Sequence, residues 1–289
     1  MSMAVPLSAI AFRTDGASKL RSSTYLELPW PGAGPVDCIW TGRPGWSPRS
    51  LLLLPDGCVD IVWDGNAITV VRPRATAVRH TLTNRKFAAG IRLRPGWAAH
   101  TLRTPIASLP PLADMADIRS ATEVSRFAEM LADEAEPMDS AHLLARWAEK
   151  IRPAGSLPDA RLLHAIDLLS QPSSVGSAAL QAGYSARELR RRFAEHVGLS
   201  PKRFQRVTRF QRFRSLMAGP ASPPAMAQAA AFCGYYDQAH LAHDCRVLAC
   251  RTPTALARVT VAGHQSAMPI AAERGSLSSG APDARASRR

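Results

Sequence analysis

Acidic residues are in short supply in this chain. Against 36 Lys+Arg it carries 23 Asp+Glu, a formal net charge of +13 over 289 residues, and the shortfall is uneven. Residues 1–155 hold 18 Lys+Arg and 15 Asp+Glu, whereas residues 156–289 hold 18 and 8. A half so poor in acid points to a polyanion partner, or else to a basic surface that only water solvates. Cysteine is scarce too. Cys38, Cys58, Cys233, Cys245 and Cys250 make an odd number without a CxxC pair, so neither a disulfide framework nor zinc-finger spacing is present. No apolar run reaches the ~18 residues of a membrane helix, and residues 1–16 lack the basic and apolar regions of a secretory signal. These absences predict a soluble protein of a reducing cytoplasm with no membrane partner. No phosphate-cradling glycine loop and no nucleophile elbow occurs, and His80 and His100 stand without HxH-type partners. The chain is therefore expected not to be an enzyme and to need neither cofactor nor metal. Hydrophobic residues still make up 46% of it, enough for a sizeable core.

At ~100–200 residues per domain the length suggests about two domains, and the patterning divides accordingly. Residues 1–24 read as a loose extension. Residues 25–152 begin β-rich: Leu51–Leu54, Val59–Trp63, Ala67–Val71 and Ala88–Leu93 are apolar or alternating runs. Pro55-Asp56-Gly57 and Asp64-Gly65-Asn66 supply turn chemistry between them. Helical spacing takes over at Glu123–Glu134 and Ala141–Ile151. Residues 153–158 form a Pro/Gly linker. Helices then follow at Asp159–Ser170, Ser174–Ala182, Ala186–Val197, Pro201–Ala218, Pro224–Cys233 and Gln238–Ala249, completing a domain over 159–262. Residues 263–289 are a Ser/Ala/Arg tail, expected to be disordered.

The helical half contains a repeat. Ala182-Gly183-Tyr184 returns as Cys233-Gly234-Tyr235, and Leu189, Phe193 and Ser200-Pro201 return as Leu241, Cys245 and Thr252-Pro253. Ser185 with Glu188 makes a capping box, and Asp237 is an N-cap before Gln238. A helix, a short glycine turn and a capped second helix form the helix-turn-helix pattern, whose second helix enters a major groove. In Ala186–Val197, Leu189 and Phe193 mark the buried stripe, while Arg187, Arg190 and Arg191 fall on roughly the opposite side at ~100° per residue. Guanidinium forks suit guanine edges and phosphates. An ordinary solvated arginine face is the plainer alternative. The helix Pro201–Ala218 would span about 27 Å at ~1.5 Å per residue, comparable with the ~34 Å between successive major-groove faces. Residues 187–214 hold ten Lys/Arg and two Glu, so most of the basic excess sits on one reading helix and this connector. Binding is expected to weaken steeply with salt.

These motifs resemble the AraC-type (AraC/XylS) family of bacterial transcription regulators. Gly183-Tyr184-Ser185-x-Arg187-x-Leu189-x-Arg191-Arg192-Phe193 with Gly198-Leu199-Ser200-Pro201 is similar to its first helix-turn-helix. Gly234-Tyr235-x-Asp237-Gln238-x-His240-Leu241 with Thr252-Pro253 is similar to its second. The resemblance implies sequence-specific binding of double-stranded promoter DNA by two helix-turn-helix units. DNA contacts are expected from Ser185, Arg187, Arg190, Arg191, Lys202 and Arg203, and from Gln238, His240 and His243 in the second unit. That second copy departs from the pattern at His243, Cys245 and Cys250. Ala239, Ala242 and His243 occupy the positions of Arg187, Arg190 and Arg191, so the first helix should carry most of the affinity. His240 and His243 share a helix face, but Cys245 falls on the core stripe with Leu241, which favours packing or DNA contact over metal.

Tyr25–Glu27, Cys38-Ile39-Trp40, Leu54–Asp60 and Gly90-x-Arg92-x-Arg94-Pro95-Gly96 are similar to an uncharacterised β-rich domain fused to such regulators. The expected fold class is α+β, a β-rich cupin-like N-terminal domain followed by an all-α double helix-turn-helix. The resemblance implies an effector-sensing or dimerising role for the first domain, and leaves room for a homodimer and for RNA polymerase as partners. Between Asp64 and Asp114 there are eight Lys/Arg and no acid. These arginines are expected to be solvated or paired with the acidic helices at 123–149, the alternative being an anionic small-molecule effector or an additional DNA contact. Asp56 and Asp60 are explained by turn chemistry and placement on a strand edge. The rival reading is a cupin-like ligand-binding enzyme whose helical half associates with nucleic acid nonspecifically. Operator, effector identity and the choice between activator and repressor are not written in the sequence.

Overall fold

The computed structural model describes residues 12–13, 24–43, 49–82, 87–218 and 224–257. The tail at 263–289, most of the extension at 1–24, and Arg85 and Lys86 lie outside the described residues. Among the described residues nine strands make up two antiparallel sheets. β1 (Phe12–Arg13), β4 (Arg49–Leu53) and β7 (Val78–Leu82) form the smaller sheet, in the order β1-β4-β7. The larger has the order β2-β3-β8-β5-β6-β9, built from β2 (Thr24–Pro29), β3 (Val36–Arg43), β5 (Val59–Trp63), β6 (Ile68–Val71), β8 (Ala88–Leu93) and β9 (Leu112–Asp114). Period-two alternation sends Val59, Ile61 and Trp63 to one face of β5, where they are buried. That face is covered by α2 (Ala121–Ala132) and α3 (Pro137–Ile151). Phe127 and Trp147 stack there at 4.6 Å, and Trp30 Nε1 donates to Glu149 Oε1 at 2.8 Å.

The opposite face of the larger sheet is unusual. Arg92, at the centre of β8, is 1% exposed and stands in register with Cys38 of β3 and Asp60 of β5. Its guanidinium lies 3.1 Å from Glu27, 3.1 Å from Asp56 and 3.2 Å from Asp60, while Arg94 lies 3.9 Å from Asp37. Arg92 and Arg94 thus find their acids on neighbouring strands and in the 54–58 loop, not on helices 123–149, while Arg72 donates to the Leu109 carbonyl. Arg92 and Arg94 are already engaged by carboxylates, which removes the basis for an anionic effector at this pair. Asp60 is also not on an edge, because β5 pairs with both β8 and β6. Asp56 does serve its turn, accepting from Cys58 N at 3.0 Å, but its second oxygen reaches Arg92.

Three carboxylates around one guanidinium cannot all be fully compensated. Burial raises Asp60 to about 7, against the opposing pull of Arg92, and raises Asp37 and Asp56 in the same direction. A carboxyl whose pKa is higher folded than unfolded binds its proton more tightly in the folded chain. Its stabilisation is therefore greatest at low pH and is lost as pH rises through the folded value. Stability should fall between pH 6.5 and about 8; His196, held low by burial, acts oppositely only below its ordinary 6.5. Urea denaturation at stepped pH checks this, and stability rising across the interval contradicts it.

Past α3 every element among the described residues is a helix. α4 (Ala160–Leu169), α5 (Val175–Gln181) and α6 (Ala186–His196) form one bundle, and α7 (Pro201–Ala218), α8 (Met226–Phe232) and α9 (Gln238–Ala249) a second. The β-rich region touches both. α6 packs on α1 (Ala98–Leu102) and on the 3-10 turn Ile106–Ser108. Gly198 (φ +81°) lies so close that an added Cβ would come 2.6 Å from Ile106 Cγ2. On the other bundle, Leu54 joins the core with Val207 and Phe210. Gln211 Nε2 donates to the Pro55 carbonyl, and Ala77 N donates to Leu248 O at 2.7 Å. Pro55-Asp56-Gly57 therefore does more than turn the chain. It crosses from the small sheet to the large one, and Gly57 (φ +82°) brings its backbone against Phe204 of α7.

Candidate nucleic-acid interface

Both helix-turn-helix units are fixed by local chemistry. Ser174 accepts from Ser177 N and Ser185 from Glu188 N, while Asp237 accepts from His240 N at 2.7 Å, so α5, α6 and α9 each start with an orphan N–H met by a side chain, whereas α8 starts at Ala225 without one. The turns at Gly183 and Gly234 both take positive φ. Above each turn the same device recurs. The Arg161 guanidinium sits over the Tyr184 ring at 4.2 Å and bonds the Ala182 and Gly183 carbonyls. Arg209 sits over Tyr235 at 4.5 Å and reaches the Gly234 carbonyl. The repeat thus includes the preceding helix, α4 in one unit and α7 in the other. The sequence comparison centred on the turns does not reach it, although an arginine early in α4 was there to be matched.

On α6, Leu189 and Phe193 are fully buried and Phe193 packs edge-on against Phe204 at 5.6 Å between centroids. Arg187, Arg190 and Arg191 are all exposed. Arg187 and Arg190 have no ion-pair partner among the described residues. Arg191 Nη1 bonds Glu195 at 2.9 Å. An exposed pair one turn apart is worth only about 0–1 kcal/mol, so this contact can be exchanged for DNA at small cost. Ser185 is exposed, but its hydroxyl oxygen is occupied as the cap.

The connector α7 behaves differently from its composition. Lys202 and Arg203 are exposed at its start. Arg206 Nε reaches Asp244 Oδ1 at 2.7 Å and Arg209 Nη2 reaches Asp244 Oδ2 at 3.0 Å. Arg214 is buried, its Nη1 donating to Gln211 Oε1 at 2.7 Å. Three of the connector's arginines therefore serve the fold, and the salt dependence expected from ten basic residues is reduced accordingly. Asp244 holds two helices together and occupies the position of Arg192 in the first unit. A carboxylate three residues after Leu241 and four before Leu248 lies on the apolar stripe, which is the signal by which it could be found. In α9, Gln238, Ala239 and His243 are exposed. His240 is half-covered, edge-on to Tyr235 at 5.2 Å and within 3.3 Å of Arg209 Nη2. Cys245 is buried with Leu241.

Residues 178–258 match a helix-turn-helix domain family, and residues 33–111 match a domain of unknown function (DUF6597). No curated protein matches the chain. Among solved structures, an apo variant of ToxT from Vibrio cholerae has a TM-score of 0.38 at 9% identity, covering 83% of this chain and 95% of that one. A ToxT structure with an unsaturated fatty acid bound has a TM-score of 0.35 at 10% identity, covering 84% and 98%. Among the described residues no helix is long and apolar enough to cross a membrane. Residues 178–258, which contain both turns and both second helices described above, are a helix-turn-helix domain.

Proposed function

We propose that this chain is a transcription regulator of the AraC type and that it reads promoter DNA chiefly through α6. Arg187 and Arg190 enter a major groove, Arg191 exchanges Glu195 for DNA, and Lys202 and Arg203 grip the backbone beside them. Gln238, His240 and His243 of α9 contribute less. The observation that carries this ranking is the contrast between two equivalent helix faces, three exposed arginines on α6 against Ala239, Ala242 and His243 on α9. Ser185 acts through its cap, setting the start of α6. The protein works in the cytoplasm by binding rather than by catalysis. Its β-rich half takes a small-molecule effector, and the contacts of Pro55, Gly57 and Ala77 with α7 and α9 carry the signal. A second copy and RNA polymerase are partners at the promoter.

Arg187→Ala and Arg190→Ala should each cost about 1–3 kcal/mol of specific affinity if they read bases, and Arg191→Ala less, because its ion pair must first break. Fluorescence anisotropy on an operator selected from genomic fragments measures this. If Gln238 or His243 substitutions cost more than Arg190→Ala, the ranking of the two helices is reversed.

A further inference from the structure

The seam between the two helix-turn-helix units holds a cleft of about 320 Å³, bounded by the turn that leads into α5, by α7 and by the second turn at Gly234. Its polar lining is Gln171, Ser173, Ser174, Gln205, Arg209 and Arg212, without a single carboxylate. Arg209 is held in place by Asp244 and the Tyr235 ring. Arg212, one turn further along α7, is half-buried, and no carboxylate or carbonyl among the described residues bonds its guanidinium. Its Nε and that of Arg209 are both buried without an acceptor. Burial, reinforced by the charge of Arg209, holds the Arg212 pKa below the usual guanidinium value. Removing a cation from water without a counterion is costly, and here the cation lines an open cleft. Neutral donors stand beside it. Ser174 Oγ accepts from Ser177 N and keeps its own hydrogen to give, and Gln205 uses one amide hydrogen on the Ser173 carbonyl and keeps the other.

We propose that this cleft is a site for one phosphate-type oxyanion, bound by the Arg212 guanidinium with Arg209 Nε, the Ser174 hydroxyl and the Gln205 amide. Guanidinium forks match tetrahedral oxyanions bidentately. The volume, roughly ten times the ~30 Å³ share of a water molecule, also leaves room for the ester arms of a backbone phosphate. The source is then either the DNA strand crossing between the two units or a free phosphate. Only the first rests on the DNA-binding reading above.

Two arms using the full chain separate them. In the absence of DNA, inorganic phosphate at constant ionic strength against chloride should raise the melting temperature by about 2–4 °C, and Arg212→Met should abolish the rise. With operator DNA, Arg212→Met should reduce the slope of log K against log salt by about one. A phosphate-induced rise that Arg212→Met removes, with an unchanged salt slope, identifies a free oxyanion. A reduced slope without the rise identifies the DNA backbone, and both together identify a site that accepts either. If neither appears, the site is overturned, and the DNA-binding reading still stands provided Arg190→Ala weakens operator binding. Should Arg212→Met not fold, Arg212→Lys keeps stem and charge but loses the fork. It should weaken both responses, and undiminished ones overturn the proposal.

Discussion

Arg92→Met should destabilise the folded chain by about 3–5 kcal/mol at neutral pH, the range for removing one partner of a buried ion pair. The guanidinium is 1% exposed and lies within 3.2 Å of Glu27, Asp56 and Asp60. Met replaces most of the arginine stem, so little packing is lost and the measurement isolates charge. What remains is a set of carboxylates in a site that already lifts the Asp60, Asp56 and Asp37 pKa values by burial. The orphaned groups can escape the penalty only by taking up protons. The difference between Arg92→Met and the parent should therefore shrink as pH is lowered from about 8 to about 5.5. Arg92→Lys should fall between them, because an ammonium is a point charge and cannot bridge acids on several sides. Urea unfolding followed by tryptophan fluorescence tests this, with Trp40 and Trp63 on the strands flanking β8. A variant within about 1 kcal/mol of the parent at pH 8 would mean that the carboxyls are held neutral without the arginine.

The position of this cluster gives the substitution a reach beyond the sheet. Asp56 belongs to the loop whose Pro55 carbonyl receives Gln211 and whose Gly57 lies against Phe204. None of this could be read from spacing, since Glu27, Asp56 and Asp60 come to Arg92 only when β2, β5 and β8 enter one sheet. The turn at Pro55-Asp56-Gly57 was legible, but not that it joins two different sheets and props up a helix 150 residues away. The helical half was easier because its determinants are local. α7 and α9 begin and end where the sequence places them, Pro201–Ala218 and Gln238–Ala249. In each, a cap and the apolar stripe are written within a few residues of the boundary. Ser185 and Asp237 cap as expected, and Leu189 and Phe193 face inward, leaving the three α6 arginines outside. Composition misled where charge was counted without partners. The basic excess of 187–214 looked like one continuous address for DNA. Asp244, Gln211 and burial withdraw Arg206, Arg214 and all but the Nε of Arg209 from it, and the first unit's Arg161 does for Tyr184 what Arg209 does for Tyr235.

Asp244 is consequently where the second unit is most vulnerable. Asp244→Asn keeps the shape of the side chain but removes its charge and turns one of two acceptor oxygens into a donor facing an arginine. With Asp244 1% exposed, a fully buried triad would lose about 3–5 kcal/mol. Arg206 keeps part of its surface in water, which screens some of the penalty, so a loss of about 2–4 kcal/mol is expected. The damage should be local, because the two bonds at 2.7 and 3.0 Å tie α9 to α7 and to nothing in the first unit. Hydrogen exchange should accelerate in α9 and α8, while α6 amides, anchored by Leu189 and Phe193 on Phe204, keep their protection. The effect on DNA follows from the unequal faces of the two helices. Freed arginines at 206 and 209 add phosphate-seeking charge but lose their fixed geometry, and α9 has little base-reading chemistry to forfeit. Specific affinity, corrected for the folded fraction, should fall less than in Arg190→Ala, and the salt slope should steepen rather than flatten. If Asp244→Asn instead costs more specific affinity than Arg190→Ala while α9 stays protected, then α9 is the principal reading helix and the arginine count on α6 is a poor guide to where the sequence is read.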